Sequence, residues 1–225
     1  MQAKIESLCG QLSLEQLKQV VFGKWEKVPH ATVTTINYTF DELSVSPDVK
    51  KHLLLGHSQV IIQSLSVKTR ALVNLALEQW RSACGELIKF NYVDKLDGNQ
   101  PGITFIGGDN LTDANGLTVS LMDGNQFNKA LICLPSEIKT PYDYKTITHE
   151  IGHALGLKHV HEIESIKQHL MTADQGMGCS VMGYNSVLKS HSNNCTTEKY
   201  CADQTYALYP GPTDQQICSA IYQWH

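Results

Sequence analysis

No stretch of the 225-residue chain approaches the roughly 18 consecutive apolar residues that a membrane-crossing helix needs. No block of like charges occurs either: 18 Lys and Arg stand against 22 Asp and Glu, for a net charge of -4. A nucleic-acid footprint and a polybasic membrane anchor are therefore excluded. Internal repeats and low-complexity tracts are missing. The opening residues, MQAKIESLCGQLSLEQLKQV, lack the basic start and apolar core of a secretory signal. The expectation is a cytosolic chain, an exit route that uses no such signal, or a leader already removed. What is present is 42% apolar and 18% charged residues. A chain of this length buries roughly 70% of its unfolded surface, so neither disulfides nor metals are needed merely to fold.

Cysteine is the one residue type in surplus for a reducing compartment. There are seven, at positions 9, 84, 133, 179, 195, 201 and 218, and the odd number leaves at least one without an intrachain disulfide. Four lie between 179 and 218, which suggests a local disulfide framework at the C-terminal end. Cys84 and Cys133 sit in apolar surroundings and read as small buried hydrophobes.

Residues 11–22 predict a short helix capped by Ser13, with Leu14, Leu17 and Val21 on one face. Strand alternation runs through Ile36, Tyr38 and Phe40, then Ile88, Phe90 and Tyr92, Ile103 and Phe105, and Leu117, Val119 and Leu121; ALICL at 130–134 adds one more. A long helix is expected over 67–84, capped by Ser66 or Thr69 and stopped by Gly85, with Leu72, Ala76, Trp80 and Ala83 inward. A second is expected over 144–155, ended by Gly156, and a last one from Pro212-Thr213-Asp214 with Ile217, Ala220 and Ile221 inward. The order predicts an α/β sheet domain followed by a smaller, loop-rich C-terminal part.

Residues 149–159 read HEIGHALGLKH. On a helix, His149 and His153 project from the same face one turn apart, the spacing at which two imidazoles share one zinc ion. Glu150 reaches a metal-activated water without ligating the metal. Gly156 permits the positive-φ turn that frees His159 to return as a third ligand, leaving one position open, as in catalytic rather than structural zinc sites. Chance occurrence of all five fixed positions is on the order of 10⁻⁴ or less.

HExxHxxGxxH followed by a methionine turn resembles the signature of the metzincin zinc metallopeptidases. The second half is CSVMGY at 179–184, with 22 residues between His159 and Met182. In the family this methionine, here Met182, forms a tight turn beneath the zinc. Tyr184 matches the tyrosine that stabilises the oxyanion in the serralysin and astacin branches. The resemblance extends to GKWEKVPHATVTTINYTF, LALEQWRSACGELIKFNYV and GITFIGG as strand, helix and strand segments, and to YALYPGPTDQQICSAIYQWH as a serralysin-type closing helix. It implies an α+β (α/β-type zincin) fold with a twisted, mostly parallel five-stranded sheet, two long helices, an active-site helix and a small loop-rich C-terminal subdomain ending in a helix. Residues 1–23 are then a helical extension, and 24–225 the catalytic domain, divided into 24–156 and 157–225. An edge strand near Gly116 to Met122 would take an extended peptide substrate by strand addition.

This chain departs from the named branches. Val160 follows the third histidine, where serralysins have proline, astacins glutamate and matrixins serine. The glycine- and aspartate-rich nonapeptide array of serralysins is absent. Glu162 or Glu164 could replace His159 as ligand, as in HExxH families with a distant glutamate, but that arrangement needs an unbroken helix where Gly156 stands. Cys9-Gly10 resembles a matrixin latency switch, without its flanking residues. Asp97, Asn99, Asp109, Asn110, Asp113, Asp123 and Asn125 are calcium candidates that also suit plain turns.

The reading is a monomeric zinc endopeptidase with one catalytic Zn²⁺, ligated by His149, His153 and His159. Glu150 is the general base, Tyr184 the oxyanion donor and Met182 the structural turn. Cysteine content and the hazard of an unregulated protease point to action outside the producing cell. The rivals are a non-catalytic zinc-bearing peptide-binding module, and a narrow effector with a single protein target.

Overall fold

Alternation along the strands builds one sheet, and helices cover one of its faces. The computed structural model describes residues 11–45, 47, 60–97, 100–109, 116–139, 141–165, 180–182 and 209–223. Its strands are β1 (Lys24–Trp25), β2 (Thr34–Thr39), β3 (Ile61–Gln63), β4 (Ile88–Tyr92), β5 (Gly102–Asp109), β6 (Leu117–Asp123) and β7 (Gln126–Leu134). The helices are α1 (Leu14–Gln19), α2 (Val67–Ala83), α3 (Pro141–Ala154) and α4 (Pro212–Gln223). Strands β1, β7, β5, β2 and β4 lie in that order and are parallel; β3 pairs with β5, and β6 with β7, antiparallel.

The mixed, mostly parallel architecture is the expected one, but the described residues form seven strands rather than five. The additions are β1, of two residues, and β3, of three. Neither is long enough for a period-two pattern to register in the sequence. β7 also starts earlier than ALICL, because the turn at Gly124, with φ +58, makes 117–134 a hairpin. Residues Ala130 to Leu134 are all buried. Ala130 and Ile132 face the helices, while Leu131 and Cys133 join Val60 and Ile106 in a small cluster on the opposite face. Burial on both faces explains why this strand reads as a continuous apolar run.

Ser66 caps α2 by accepting from the Thr69 amide, and Gly85, with φ +64, follows its end. Val73, Ala76, Leu77 and Trp80 turn inward against α3 and the sheet. Full burial of a side chain such as Leu77 stabilises by about 1.5–3 kcal/mol. α3 begins at Pro141, three residues before the expected start, with proline at its first position, where no amide is needed.

Two expectations are corrected. Cys84 is not simply a buried hydrophobe: it forms a disulfide with Cys218, tying the end of α2 to α4 across 134 residues. Cys218 thus pairs outside the C-terminal cysteine cluster, while Cys133 is a buried thiol. Cys9, Cys179, Cys195 and Cys201 lie outside the described residues. The N-terminal helix is also shorter than 11–22. Ser13 and Gln16 form a reciprocal capping box, but α1 ends at Gln19. Val21 then bridges to Leu157, the Phe22 amide donates to the Gly156 carbonyl (3.0 Å), and the Lys158 amide donates to Val20 (2.8 Å). The β-branched Val20 and Val21, with Phe22, take extended pairing with the turn after α3 in place of further helix.

Candidate metal centre

His149, Glu150 and His153 sit on the last turns of α3. The helix closes in a Schellman arrangement: the Leu157 amide donates to the Gly152 carbonyl (3.0 Å), and the Gly156 amide to the His153 carbonyl (2.9 Å). Gly156 has φ +101, and a Cβ there would overlap the carbonyl oxygen of Gly23. The turn therefore needs glycine both for its backbone angle and for the close approach of the N-terminal segment. The turn redirects the chain so that His159, at the head of the one-turn 3₁₀ helix Val160–Glu162, faces back toward α3.

The Nε2 atom of His159 lies 3.1 Å from that of His149 and 2.9 Å from that of His153. Each ring has its other nitrogen engaged. His149 Nδ1 donates to the Val181 carbonyl (2.8 Å), His153 Nδ1 to the Leu157 carbonyl (2.8 Å), and His159 Nδ1 to the Glu162 carboxylate (2.9 Å). A carbonyl or carboxylate only accepts, so the proton of each neutral ring belongs on Nδ1 and the three Nε2 lone pairs face one another. Three converging acceptors repel unless a cation lies between them. Tetrahedral zinc with Zn–N near 2.0–2.1 Å sets its ligands about 3.3 Å apart, close to the spacing here. The residues thus fit zinc, and the triad is the cluster of possible metal ligands found among the described residues.

Electrostatics favour the neutral, metal-ready state of His149 and His153. Burial, reinforced by neighbouring His153, lowers His149 to about 3. Burial, reinforced by His159, lowers His153 to about 4. Burial pushes the Glu150 carboxyl up to about 7, opposed by the Thr118 hydroxyl of β6, which donates to Oε2 at 2.7 Å. One carboxylate oxygen is thereby anchored to the edge strand.

The helix that carries His149 and His153 packs on buried side chains at Gly152. Met182 is fully buried, and a Cβ on Gly152 would overlap its sulfur. Trp80 closes the same contact and donates its indole N–H to the Thr148 carbonyl at 2.8 Å. Asp214, in the first turn of α4, accepts from Ser180 Oγ, from the Val181 amide (2.6 Å) and from the Gly211 amide (2.9 Å). It so holds the segment whose carbonyl orients His149. Burial raises Asp214 to about 6 against the pull of these donors.

The structure brings together His149, His153 and His159, with Glu150 next to His149 on the same helix and Met182 packed against Gly152 of that helix. Tyr184 lies outside the described residues, as do Asn99, Asn110 and Asp113 of the calcium candidates. Glu162 approaches His159 from the side away from the triad and supports the ring instead of replacing it. Thr118, Gly152 and Asp214 were not singled out as site residues. Gly152 alone had a local signal, as a glycine inside a helical pattern.

The family profile described as Metallo-peptidase family M12B Reprolysin-like matches residues 30–207, most of the chain. The chain belongs to the reprolysin-like metallopeptidase family M12B. The metzincin resemblance of the zinc segment accords with that membership. Among solved structures, this reprolysin-like chain is similar to myroilysin at 16% identity, covering 92% of this chain and 99% of that one, with a TM-score of 0.45. It is also similar to high choriolytic enzyme 1, a hatching-enzyme zinc protease of the medaka Oryzias latipes, at 14% identity, 78% and 76% coverage and a TM-score of 0.36. No curated protein matches the sequence. The N-terminal segment bonded to the turn at 156–158, and helix α4, both fall outside the 30–207 match.

Proposed function

We propose that this metallopeptidase is a zinc endopeptidase that hydrolyses internal peptide bonds of proteins. The observation that carries this reading is the convergence of three Nε2 atoms beside a buried glutamate anchored to an edge strand. Bound zinc supplies Lewis-acid polarisation of the scissile carbonyl and lowers the pKa of a coordinated water. Glu150 takes the proton of the attacking water on its free carboxylate oxygen and carries it to the leaving amide nitrogen. Thr118 fixes the other oxygen, so the base is pre-oriented. Tyr184 donates to the developing oxyanion, as the metzincin resemblance implies. Ser180 to Met182 serve as the methionine turn.

The substrate lies along β6. This strand pairs with β7 on one side, and no strand covers its other side among the described residues. Its Thr118 face meets Glu150, so a peptide adding to that edge runs past the triad. The Cys84–Cys218 disulfide supports an oxidising destination outside the producing cell's cytosol.

Treatment with 1,10-phenanthroline, then equimolar zinc, tests the reading on a fluorogenic peptide library. Cleavage is expected to vanish and return. Absence of any cleavage by the zinc-loaded protein overturns it.

A further inference from the structure

We infer that Glu162 is the positioning residue of the third ligand: its carboxylate fixes the tautomer and ring plane of His159 and strengthens that imidazole as a metal donor. The inference rests on the metal-centre reading above and adds to it a residue outside the ligand set.

His149 and His153 are oriented by main-chain carbonyls, those of Val181 and Leu157. His159 is held at Nδ1 by a side chain, with Glu162 Oε1 at 2.9 Å. Glu162 closes the one-turn 3₁₀ helix that His159 caps, so the i to i+3 spacing aims the carboxylate at the ring's outer nitrogen. A charged acceptor withdraws the Nδ1 proton more strongly than a carbonyl does, which enriches Nε2 and favours a dication on it.

The Glu162 side chain is 61% exposed, so its contact with His159 adds little to fold stability. The effect expected here is on ligand geometry, not on fold stability. The loop carrying both residues is held independently of their contact. The Lys158 amide donates to Val20 at 2.8 Å, Gln16 Nε2 donates to the Ser165 carbonyl at 3.0 Å, and Ser165 Oγ donates to Gln19 at 2.9 Å. Removing the Glu162 carboxylate therefore takes this acceptor from His159 Nδ1 without unseating the backbone around it.

The test is zinc affinity, measured by chelator competition on the full chain, for wild type, Glu162→Ala, Glu162→Gln and Glu78→Ala. Glu78 is an equally exposed partner of Arg81 on α2. Glu162→Ala should bind zinc about 10–100-fold more weakly, the usual cost of removing such a support. Glu162→Gln, which keeps an acceptor without the charge, should fall between it and wild type. Glu78→Ala should stay within about twofold of wild type, and the metal-free melting points of all four should agree. In the cobalt-loaded proteins the visible bands should change in Glu162→Ala and not in Glu78→Ala. Equal zinc affinity of Glu162→Ala and wild type overturns the inference and leaves the metal centre standing. Failure of wild type itself to bind zinc overturns the metal centre and this inference with it.

Discussion

Thr118 on the edge strand donates its hydroxyl to Oε2 of Glu150 at 2.7 Å, so the strand proposed to receive substrate also sets the proposed general base. Thr118→Val keeps the side-chain shape and removes the donor. A hydrogen bond to a charged group is worth about 1.5–3 kcal/mol, so kcat/KM should fall at least tenfold. Zinc affinity should not change, because both hydrogen bonds of the Thr118 hydroxyl go to Glu150. Parallel peptidase kinetics and chelator titration check both halves, and equal loss of zinc would assign Thr118 to the metal site instead.

Glu150 gives the metal-free protein a pH signature. Burial raises its carboxyl from the ordinary 4.5 to about 7. A carboxyl raised in the folded state contributes stability that is full below pH 4.5 and is lost as pH climbs through about 7. Glu150→Gln carries no such loss. The melting point of metal-free Glu150→Gln relative to metal-free wild type should therefore rise from pH 5 to pH 8. A constant difference across that range contradicts the assignment.

Gly152 and Met182 form one contact. A methyl group at position 152 meets the Met182 sulfur and the Trp80 ring, both buried. Gly152→Ala should destabilise by about 1–3 kcal/mol through overpacking, despite alanine's better helix propensity. Chemical denaturation of the metal-free protein measures it; a neutral or stabilising result would mean that these neighbours yield.

Asp214 is the counterpart beneath His149. Asp214→Ala leaves the Ser180 hydroxyl and the Val181 and Gly211 amides without their buried acceptor. Each unsatisfied buried group costs about 1–3 kcal/mol, so the variant should lose several kcal/mol and bind zinc more weakly through the displaced Val181 carbonyl. Asp214→Asn, keeping one acceptor, should lose less.

The Cys84–Cys218 disulfide closes a separation of 134 residues. The Cys84→Ala, Cys218→Ala double variant should be less stable by about 2–5 kcal/mol. Reductant should lower the wild-type melting point by more than it lowers that of the variant, since only wild type has the Cys84–Cys218 bond to lose.

The histidine cluster proposed as the ligand set was legible because its information is local. The four-residue spacing of His149 and His153, and Gly156 three residues before His159, specify a helix, a turn and a return within 11 residues. The alternating strands and the capped helix α2 were legible for the same reason. The supports were not, because they join distant parts of the chain. Thr118 reaches Glu150 across 32 residues and Asp214 reaches Val181 across 33. Val20 meets Lys158, and Cys84 meets Cys218, with no periodicity to announce either. Short β1 and β3 have too few residues to show alternation and exist through their partners β7 and β5. Glu162 stood in plain view, but the sequence offered it as a competitor of His159, since only geometry tells which side of the ring it approaches.

The central claim is that Glu150 performs peptide hydrolysis at a zinc centre built from His149, His153 and His159. Its most direct test is cleavage profiling of zinc-loaded wild type and Glu150→Ala on a denatured peptide library and a native lysate, with zinc content measured for both. The account predicts equal zinc in the two proteins, internal cuts by wild type, and a loss of about 10²–10⁴-fold or more in Glu150→Ala. Cuts that persist at the wild-type rate in zinc-loaded Glu150→Ala, or none from zinc-loaded wild type in either pool, would contradict it.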